Sequence, residues 1–255
     1  MQQTTLRTQT PDGVTISVRC LAAGRDRVVI VCPGFLQHKD APRFIEMAEL
    51  LSRQFDVLTM DFRGHGDSGG RFTFGAHEPE DLHAVLMIAQ QRWPRIGVMG
   101  FSLGASTAII ELARHHEAHS LIAVAAPTAF EAIENRWWMP SSLVTAWHNS
   151  GQWWRFRPGS LWLPKASSQE AIGHLAPTPT LFLHGTDDCI VHPRHSERLF
   201  AEARDPKRLE WFEGGAHAED LFRQFPDRFT ALMMHWFDET LSNPGRDIAG
   251  EAQAP

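Results

Sequence analysis

A serine, a histidine and two aspartates stand in this chain at positions typical of nucleophilic catalysis. Ser102 lies in the motif Gly100-Phe-Ser-Leu-Gly104, directly after the apolar run 96–99 and directly before a helical pattern. This Gly-x-Ser-x-Gly pattern predicts a sharp strand-to-helix turn with the serine at its tip. The serine would take a strained backbone conformation, and the two glycines would let the strand and the helix approach closely. We therefore predict that Ser102 is a nucleophile at the end of a strand.

A serine hydroxyl needs a base that takes its proton and an acid that orients the base. The loop after the predicted strand 179–184 carries Asp187 and Asp188, and the loop after the predicted strand 208–212 ends in His217. Ligands of an open parallel sheet bind at the carboxyl ends of its strands, so we expect these loops to meet at one edge. The residues alone do not separate Asp187 from Asp188 as the acid.

The elements that must position these groups alternate along the chain. Strands that alternate with helices predict βαβ units and a mainly parallel sheet. The turn Pro11-Asp-Gly13 predicts an N-terminal hairpin. The predicted strands cover 4–8, 14–20, 28–31, 55–60, 96–99, 121–125, 179–184 and 208–212. In addition to the helix that follows Ser102, the predicted helices cover 42–53, 78–91, 194–203 and 218–240.

Residues 128–175 interrupt this alternation with clustered Trp and Pro. We interpret them as a cap insertion over the carboxyl edge of the sheet, so that residues 1–242 form a single domain and 243–255 a flexible tail. Six of the nine tryptophans lie between Trp137 and Trp162. Their rings either form a small core within the insertion or line an apolar or aromatic pocket, and a lipid contact is a third interpretation.

Composition bounds the class of protein. A chain of 255 residues with 43% hydrophobic content is long enough for one domain with a large core. The net charge of −6 gives no reason to expect a nucleic-acid partner or an acidic membrane surface. Three scattered cysteines favour reduced thiols and a cytoplasmic location. No apolar run reaches the ~18 residues that a membrane span needs.

Three further stretches carry a family resemblance, namely Asp61-Phe-Arg-Gly-His-Gly-Asp-Ser-Gly69, Leu183-His-Gly-Thr-Asp-Asp188 and Glu213-Gly-Gly-Ala-His217. With the serine motif and the chain order Ser, Asp, His, they resemble serine carboxylesterases of the α/β-hydrolase superfamily. They are most similar to small bacterial feruloyl or hydroxycinnamoyl-type esterases and to related esterases, lipases and thioesterases. The resemblance implies the α/β-hydrolase fold, with a mainly parallel eight-stranded sheet flanked by helices and a short cap insertion.

The resemblance also implies the role of each site residue. Ser102 would be the nucleophile and His217 the base, and the family spacing Gly-x-x-Asp selects Asp188 as the orienting acid. The backbone N–H groups of Leu103 and Phe35 would form the oxyanion hole. The loop before Phe35 departs from the family pattern, because a proline stands where relatives usually have histidine.

The implied reaction is hydrolysis of a small-molecule carboxylic ester through an acyl-enzyme, with an apolar or aromatic substrate moiety and without a cofactor or metal. The predicted substrate-binding residues are Phe101, Trp137, Trp138, Trp153 and Trp154. Three alternatives stay open: a thioesterase or amide hydrolase with the same triad, a perhydrolase or C–C hydrolase, and a non-catalytic ligand-binding protein on the same scaffold.

Two other patterns mimic binding sites. Residues 64–69 match Gly-x-Gly-x-x-Gly, but no helix opens directly from them, so we predict a structural loop near the site and no nucleotide. Residues 114–119 are rich in histidine at the end of the helix after Ser102. Cationic side chains there suit the helix dipole, and we predict no metal. We also predict structural roles for His184, His192 and His195.

Overall fold

The structure is a computed structural model that describes residues 2–134 and 155–242. Within these ranges, eight strands form one sheet in the order β1-β2-β4-β3-β5-β6-β7-β8. β1 and β2 form an antiparallel hairpin, β2 is antiparallel to β4, and all other neighbours are parallel. The predicted eight-stranded, mainly parallel sheet is thereby confirmed. The strands are β1 (Gln2–Gln9), β2 (Thr15–Ala22), β3 (Arg27–Cys32), β4 (Asp56–Met60), β5 (Arg95–Phe101), β6 (Ser120–Val124), β7 (Thr180–Gly185) and β8 (Lys207–Phe212).

Helices cover both faces of the sheet. The helices are α1 (Pro42–Leu51), α2 (Glu78–Gln90), α3 (Leu103–His115), α4 (Ser168–Ile172), α5 (Arg194–Glu202), α6 (Asp220–Gln224) and α7 (Pro226–Leu241). Buried side chains of α2, α3, α4 and α5 share one hydrophobic core with the sheet. Those of α1, α6 and α7 share a second core on the opposite face. The described helices are all too short or too polar to cross a membrane.

β3 shows why the central strands are continuously apolar. Val28 and Ile30 point into the first core, and Val29 and Val31 point into the second. Side chains alternate between the two faces of a strand, so a strand covered on both faces needs an apolar residue at every position. All four side chains are accordingly fully buried.

The last helical region differs from the prediction, because the single helix predicted over 218–240 is two helices. α6 ends at Gln224, and α7 begins at Pro226. The proline has no N–H to continue α6, and it disfavours helical torsions at the preceding residue. Phe225 accordingly has φ −132° and ψ 56° and forms the corner between the two helices.

Only part of the predicted insertion 128–175 belongs to the described residues, because 135–154 lie outside them, as does the predicted tail 243–255. The described part contains a short 3-10 helix, Phe130–Ala132, and α4. Its returning chain pairs with the loop after β4, where the N–H of Phe72 donates to the carbonyl of Arg157 at 2.9 Å. The N–H of Gly159 donates to the carbonyl of Phe72 at 2.7 Å.

The turn from β5 to α3 depends on two close backbone approaches. A Cβ atom on Gly100 would lie 2.5 Å from the Cα of Ala105 in the first turn of α3. A Cβ atom on Gly104 would lie 2.4 Å from the carbonyl oxygens of both Cys32 and Pro33 at the end of β3. Since these contacts are with backbone atoms, no side-chain rotation relieves them. The predicted reason for both glycines therefore matches the packing in the structure.

We expect Gly104→Ala to lower the free energy of unfolding by about 2 kcal/mol, because the added methyl group forces α3 away from β3. Gly173→Ala is the matched control, since a Cβ atom there would meet only the carbonyl of Glu202 at 3.8 Å. The control should stay within about 0.5 kcal/mol of the parent chain. Urea unfolding of the three proteins measures the difference, and equal stability of the two variants would contradict the packing described above.

Candidate active site

Ser102 occupies the tip of the turn between β5 and α3. Its backbone has φ 51° and ψ −119°, which is a strained conformation for a residue with a side chain. Its N–H donates to the carbonyl of Val124 at 2.8 Å, and its own carbonyl accepts from Ala105 and Ser106 in the first turn of α3. The surrounding backbone thus fixes the serine at the carboxyl end of the sheet.

The structure brings Ser102, His217 and Asp188 together in one chain of hydrogen bonds. The Nε2 atom of His217 lies 3.0 Å from the Oγ of Ser102. On the other side of the ring, Nδ1 lies 2.6 Å from Oδ2 of Asp188. With the proton on Nδ1, the imidazole donates to the carboxylate and accepts from the serine hydroxyl. The ring is therefore oriented to take a proton from Ser102.

The carboxylate of Asp188 is buried among hydrogen-bond donors. Oδ1 accepts from the N–H groups of Ile190 and Val191 at 2.9 and 3.0 Å. Oδ2 also lies 3.2 Å from Nε2 of His184, besides its contact with His217. Burial raises the pKa of Asp188, but the charge of His217 and the hydrogen bonds from both histidines outweigh burial and hold it well below its usual range. Asp188 is therefore ionised beside the imidazole.

The structure shows which of the two neighbouring aspartates, Asp187 or Asp188, contacts His217. Asp187 is exposed, and its backbone N–H donates to the carbonyl of Gly215. Asp188 is buried and holds His217. Cys189, the next residue, is partly exposed on the same loop.

The loops after β7 and β8 are packed directly on each other. A Cβ atom on Gly185 would lie 2.2 Å from the carbonyl oxygen of Gly215, so glycine permits this contact. The N–H of Thr186 donates to Phe212 at 2.9 Å, and the Thr186 hydroxyl accepts from the N–H of Gly214 at 2.8 Å. This bonding explains how residues 29 positions apart in the chain stay in register for the Asp188–His217 contact.

The charges around His217 set its protonation. Burial lowers the pKa of His217, but the negative charges of Asp188, Glu219 and Asp220 together outweigh burial and raise it above its ordinary value. Glu219 itself is buried and accepts from the side-chain amide of Gln37 at 2.8 Å. Since the imidazole accepts a proton only when it is neutral, its capacity as a base is lost as the pH falls through this raised pKa.

The loop of Phe35 adjoins the serine. A Cβ atom on Gly34 would lie 3.3 Å from the Cβ of Ser102, so the backbone of the Phe35 loop runs past the side chain of Ser102. Leu103 is the first residue of α3, where backbone N–H groups have no acceptor within the helix. The backbone of the two predicted oxyanion-hole residues therefore flanks Ser102.

His65, which the sequence does not mark as a site residue, supports this loop. The N–H of Leu36, which has a φ of 61°, donates to Nε2 of His65 at 3.2 Å. Nδ1 of the same ring lies 3.2 Å from the carbonyl of Arg63. Burial lowers the pKa of His65 to about 4, so the ring is neutral and can accept this bond. His65 thus supports the loop in which Pro33 replaces the usual histidine.

An ammonium group ties the same loop to the glycine-rich segment 61–69. Nζ of Lys39 lies 2.6 Å from Asp67, 2.9 Å from Asp40 and 3.0 Å from Asp61. The backbone N–H of Lys39 also donates to Asp61 at 2.6 Å. A Cβ atom on Gly66 would lie 2.2 Å from the Asp61 carboxylate, so glycine leaves the room this cluster needs. The segment is structural and lies near the site, as its sequence predicts.

Several phenylalanine rings pack against one another beside Ser102. The ring of Phe35 packs on Phe72 and Phe156 with centroid distances of 5.5 and 5.3 Å. Phe72 packs on Phe74 with a centroid distance of 5.0 Å, and Phe74 packs on Phe130 with one of 5.3 Å. We call these five rings the aromatic cluster. Leu103 packs into the same group, which places the cluster next to the serine.

The aromatic cluster differs from the substrate-binding residues predicted from the sequence. Trp137, Trp138, Trp153 and Trp154 lie outside the described residues. The prediction for Phe101 is wrong, because its ring is fully buried in the second core, between the sheet and α1, α6 and α7, and offers no surface to a ligand. It packs edge-on against Phe44 at 5.2 Å and stacks on Phe229 at 6.4 Å. Side chains alternate along β5, so the neighbour of a residue at the site points into the core.

Comparisons with known proteins agree with this architecture. A family model described as the alpha/beta hydrolase fold matches residues 27–143. The Bacillus subtilis protein YqkD is 26% identical over 210 residues, which cover 74% of this chain and 64% of YqkD. Lysophospholipase L2 of Escherichia coli is 31% identical over 121 residues, which cover 43% of this chain and 35% of that protein. The chain thus spans less than two thirds of the length of these relatives.

Among solved structures, the esterase Pf2001 of Pyrococcus furiosus superimposes with a TM-score of 0.78 at 22% identity. The superposition covers 94% of this chain and 91% of the esterase. Identity at this level shows a shared fold. Together with the eight-stranded sheet and the family match, it leads to one conclusion: this chain has the α/β-hydrolase fold.

Proposed function

We propose that this protein is a serine hydrolase that cleaves carboxylic esters through an acyl-enzyme intermediate. The observation that carries the proposal is the hydrogen-bond chain from Ser102 through His217 to Asp188, with separations of 3.0 and 2.6 Å. A nucleophile, a base and an orienting acid in this order are the groups that acyl transfer needs. The α/β-hydrolase fold and its esterase neighbours support the same reaction.

In the first half-reaction, the Oγ of Ser102 attacks the carbonyl carbon of the ester while Nε2 of His217 takes the hydroxyl proton. The imidazolium that forms is stabilised by the ionised Asp188. Collapse of the tetrahedral intermediate breaks the bond to the alkoxy oxygen, and His217 returns the proton to the departing alcohol. The acyl group is left on Ser102 as an ester.

Negative charge develops on the carbonyl oxygen during this step, and the N–H groups of Leu103 and Phe35 are the donors we assign to it. Backbone donors held in place by the fold need no reorganisation when the charge forms, which is why such groups accelerate acyl transfer. The support of the Phe35 loop by His65 and Lys39 serves this rigidity.

In the second half-reaction, a water molecule takes the place of the alcohol. His217 removes a proton from the water, whose oxygen attacks the acyl carbon. The tetrahedral intermediate then releases the carboxylic acid, and the proton returns to the Oγ of Ser102. All groups end in their starting protonation states, so the cycle consumes one ester and one water and releases one alcohol and one acid.

The aromatic cluster favours substrates with an apolar or aromatic moiety. Phe35 is 40% exposed beside Ser102, and an exposed ring of this size offers contact area to a ligand at little cost in side-chain entropy. Lysophospholipase L2, by its name, acts on lysophospholipids, and an apolar acyl chain is consistent with this cluster. The resemblance to hydroxycinnamoyl-type esterases, which implies an aromatic acid, stays a prediction.

We expect Ser102→Ala to lower turnover of p-nitrophenyl esters by about 10⁴-fold or more, because the mutant has no group to form the acyl-enzyme. Labelling by a fluorophosphonate should disappear in the same variant. Circular dichroism serves as the control for folding. Undiminished turnover or labelling in the folded variant would refute the mechanism.

We expect Asp188→Asn to lower kcat/KM by about 10³-fold or more, because the amide neither fixes the tautomer of His217 nor stabilises the imidazolium. Asp187→Asn is the matched control and should leave kcat/KM within about twofold. A larger loss in Asp187→Asn than in Asp188→Asn would overturn the assignment of the acid.

In the parent protein, the acidic limb of the pH profile of kcat/KM should lie above the ordinary histidine pKa of about 6.5, since the pKa of His217 is raised.

We expect Phe35→Ala to raise KM for p-nitrophenyl butyrate by about fivefold and to change KM for the acetate far less, because the variant loses one aromatic contact and keeps its backbone N–H. Trp162→Ala is the control, since Trp162 is 93% exposed and an aromatic residue of the insertion. Equal effects on both esters would contradict a role of the cluster in acyl binding.

A further inference from the structure

A second group of chemically active side chains lies between α2 and α3, away from Ser102. His83 belongs to α2, and Glu111 and His115 belong to α3. Glu111 and His115 are four residues apart, so they lie on the same face of the helix, towards α2. At 1.5 Å per residue, Glu111 is about 12 Å along α3 from the end that carries Ser102. The group is therefore separate from the candidate active site.

The three side chains converge on one point. One potential ligand atom from each of them lies within 4.8 Å of the other two. Nδ1 of His83 is 3.0 Å from Oε1 of Glu111, and Nε2 of His115 is 3.7 Å from the same oxygen. The two imidazole rings lie next to each other, with a centroid distance of 4.8 Å. Both rings are partly exposed, so solvent ions can reach them.

The carboxylate of Glu111 is the feature that hydrogen bonding leaves unexplained. Its side chain is only 2% exposed, and among the described residues no well-aligned hydrogen bond reaches Oε1, although Nδ1 of His83 lies 3.0 Å away. The donor that faces it, Nδ1 of His83, is hydrogen-bonded at 3.0 Å to Glu117 instead. A buried carboxylate oxygen that shares its nearest donor with a second carboxylate is incompletely satisfied, which costs free energy, and a cation at this point would satisfy it.

We propose that His83, Glu111 and His115 bind a divalent transition-metal ion of the zinc type. Zinc bonds to imidazole nitrogen and carboxylate oxygen at about 2.0–2.2 Å in a tetrahedron, which sets the ligand atoms about 3.3 Å apart. The separations of 3.0 and 3.7 Å bracket this value. A water molecule or the nearby carboxylate of Glu117 completes the coordination. This proposal departs from the prediction that residues 114–119 bind no metal. That prediction did not include His83 on α2.

A second group of possible ligands among the described residues differs from this one. Asp40, Asp61 and Asp67 also place three carboxylates close together. That position already holds a cation, because the ammonium of Lys39 contacts all three at 2.6–3.0 Å. At Glu111, by contrast, the imidazoles of His83 and His115 lie 3.0 and 3.7 Å from Oε1, and neutral imidazoles are ligands for a transition metal.

The ion would join α2 to α3 and stabilise the folded chain without taking part in ester cleavage. Binding to the folded state alone raises Tm in proportion to the logarithm of ligand concentration. We expect Zn²⁺ at about 100-fold above its Kd to raise Tm by roughly 5 °C or more.

The test uses the full chain without an affinity tag, freed of metal by a chelator. We expect Co²⁺, added as a spectroscopic probe, to bind at about one equivalent and to give visible absorption typical of a tetrahedral site, and Zn²⁺ to displace it. His115→Ala and the near-isosteric Glu111→Gln should each weaken Zn²⁺ binding by about 100-fold in calorimetry and abolish the gain in Tm. Since His115 is half exposed, its replacement leaves the core intact.

His235→Ala is the matched control, because His235 and Glu239 also form a His–Glu pair four residues apart, at 3.6 Å on an exposed helix face, in the reverse order along the chain. It should bind Zn²⁺ like the parent chain. The proposal is overturned if the parent chain shows no saturable binding, or if His115→Ala and Glu111→Gln bind as well as His235→Ala. The first result would leave His83 and Glu117 as a simple hydrogen-bonded pair.

Discussion

The close approach of three backbone segments is the constraint on which the candidate site depends. The end of β3, the tip of β5 and the first turn of α3 meet so tightly that Gly100 and Gly104 have no room for a side chain. The same contact holds Ser102 in its strained conformation, and it sets the Phe35 loop beside the serine. The close packing at these two glycines thus constrains the positions of both the proposed nucleophile and the proposed oxyanion donors.

Around this contact, buried charges are arranged in compensated groups. Asp188 is stabilised by two backbone N–H groups and two histidines, and Lys39 by three carboxylates. Each group joins segments that are distant in the chain, since Lys39 links the loop after β3 to the loop after β4. Removing one member of such a group would leave a buried charge unpaired, which costs more than the pair itself contributes. The loops of the site are therefore held by electrostatic contacts in addition to packing.

Local patterns in the sequence were sufficient for most of the fold. Continuous apolar runs predicted the central strands, and the Gly-x-Ser-x-Gly motif predicted the turn at Ser102. The break at Pro226 was also visible in the sequence and was missed, because the helical periodicity continues across it. The partners of Lys39 and the aromatic cluster could not be predicted in this way. They depend on which loops meet in space, and residue spacing carries no information about such contacts. For the same reason, the sequence did not indicate that His83 on α2 lies next to Glu111 and His115 on α3.

The position of Cys189 bears on how inhibitors of this protein should be interpreted. Cys189 is partly exposed on the loop that holds Asp188, whereas Cys20 and Cys32 are buried. Burial raises the pKa of the Cys32 thiol, so alkylating reagents, which attack thiolates, will reach Cys189 first. An adduct there would lie on the residue next to Asp188, in the loop that holds this carboxylate against His217. Inactivation by a maleimide or iodoacetamide would consequently be compatible with a serine mechanism and would not identify a cysteine nucleophile.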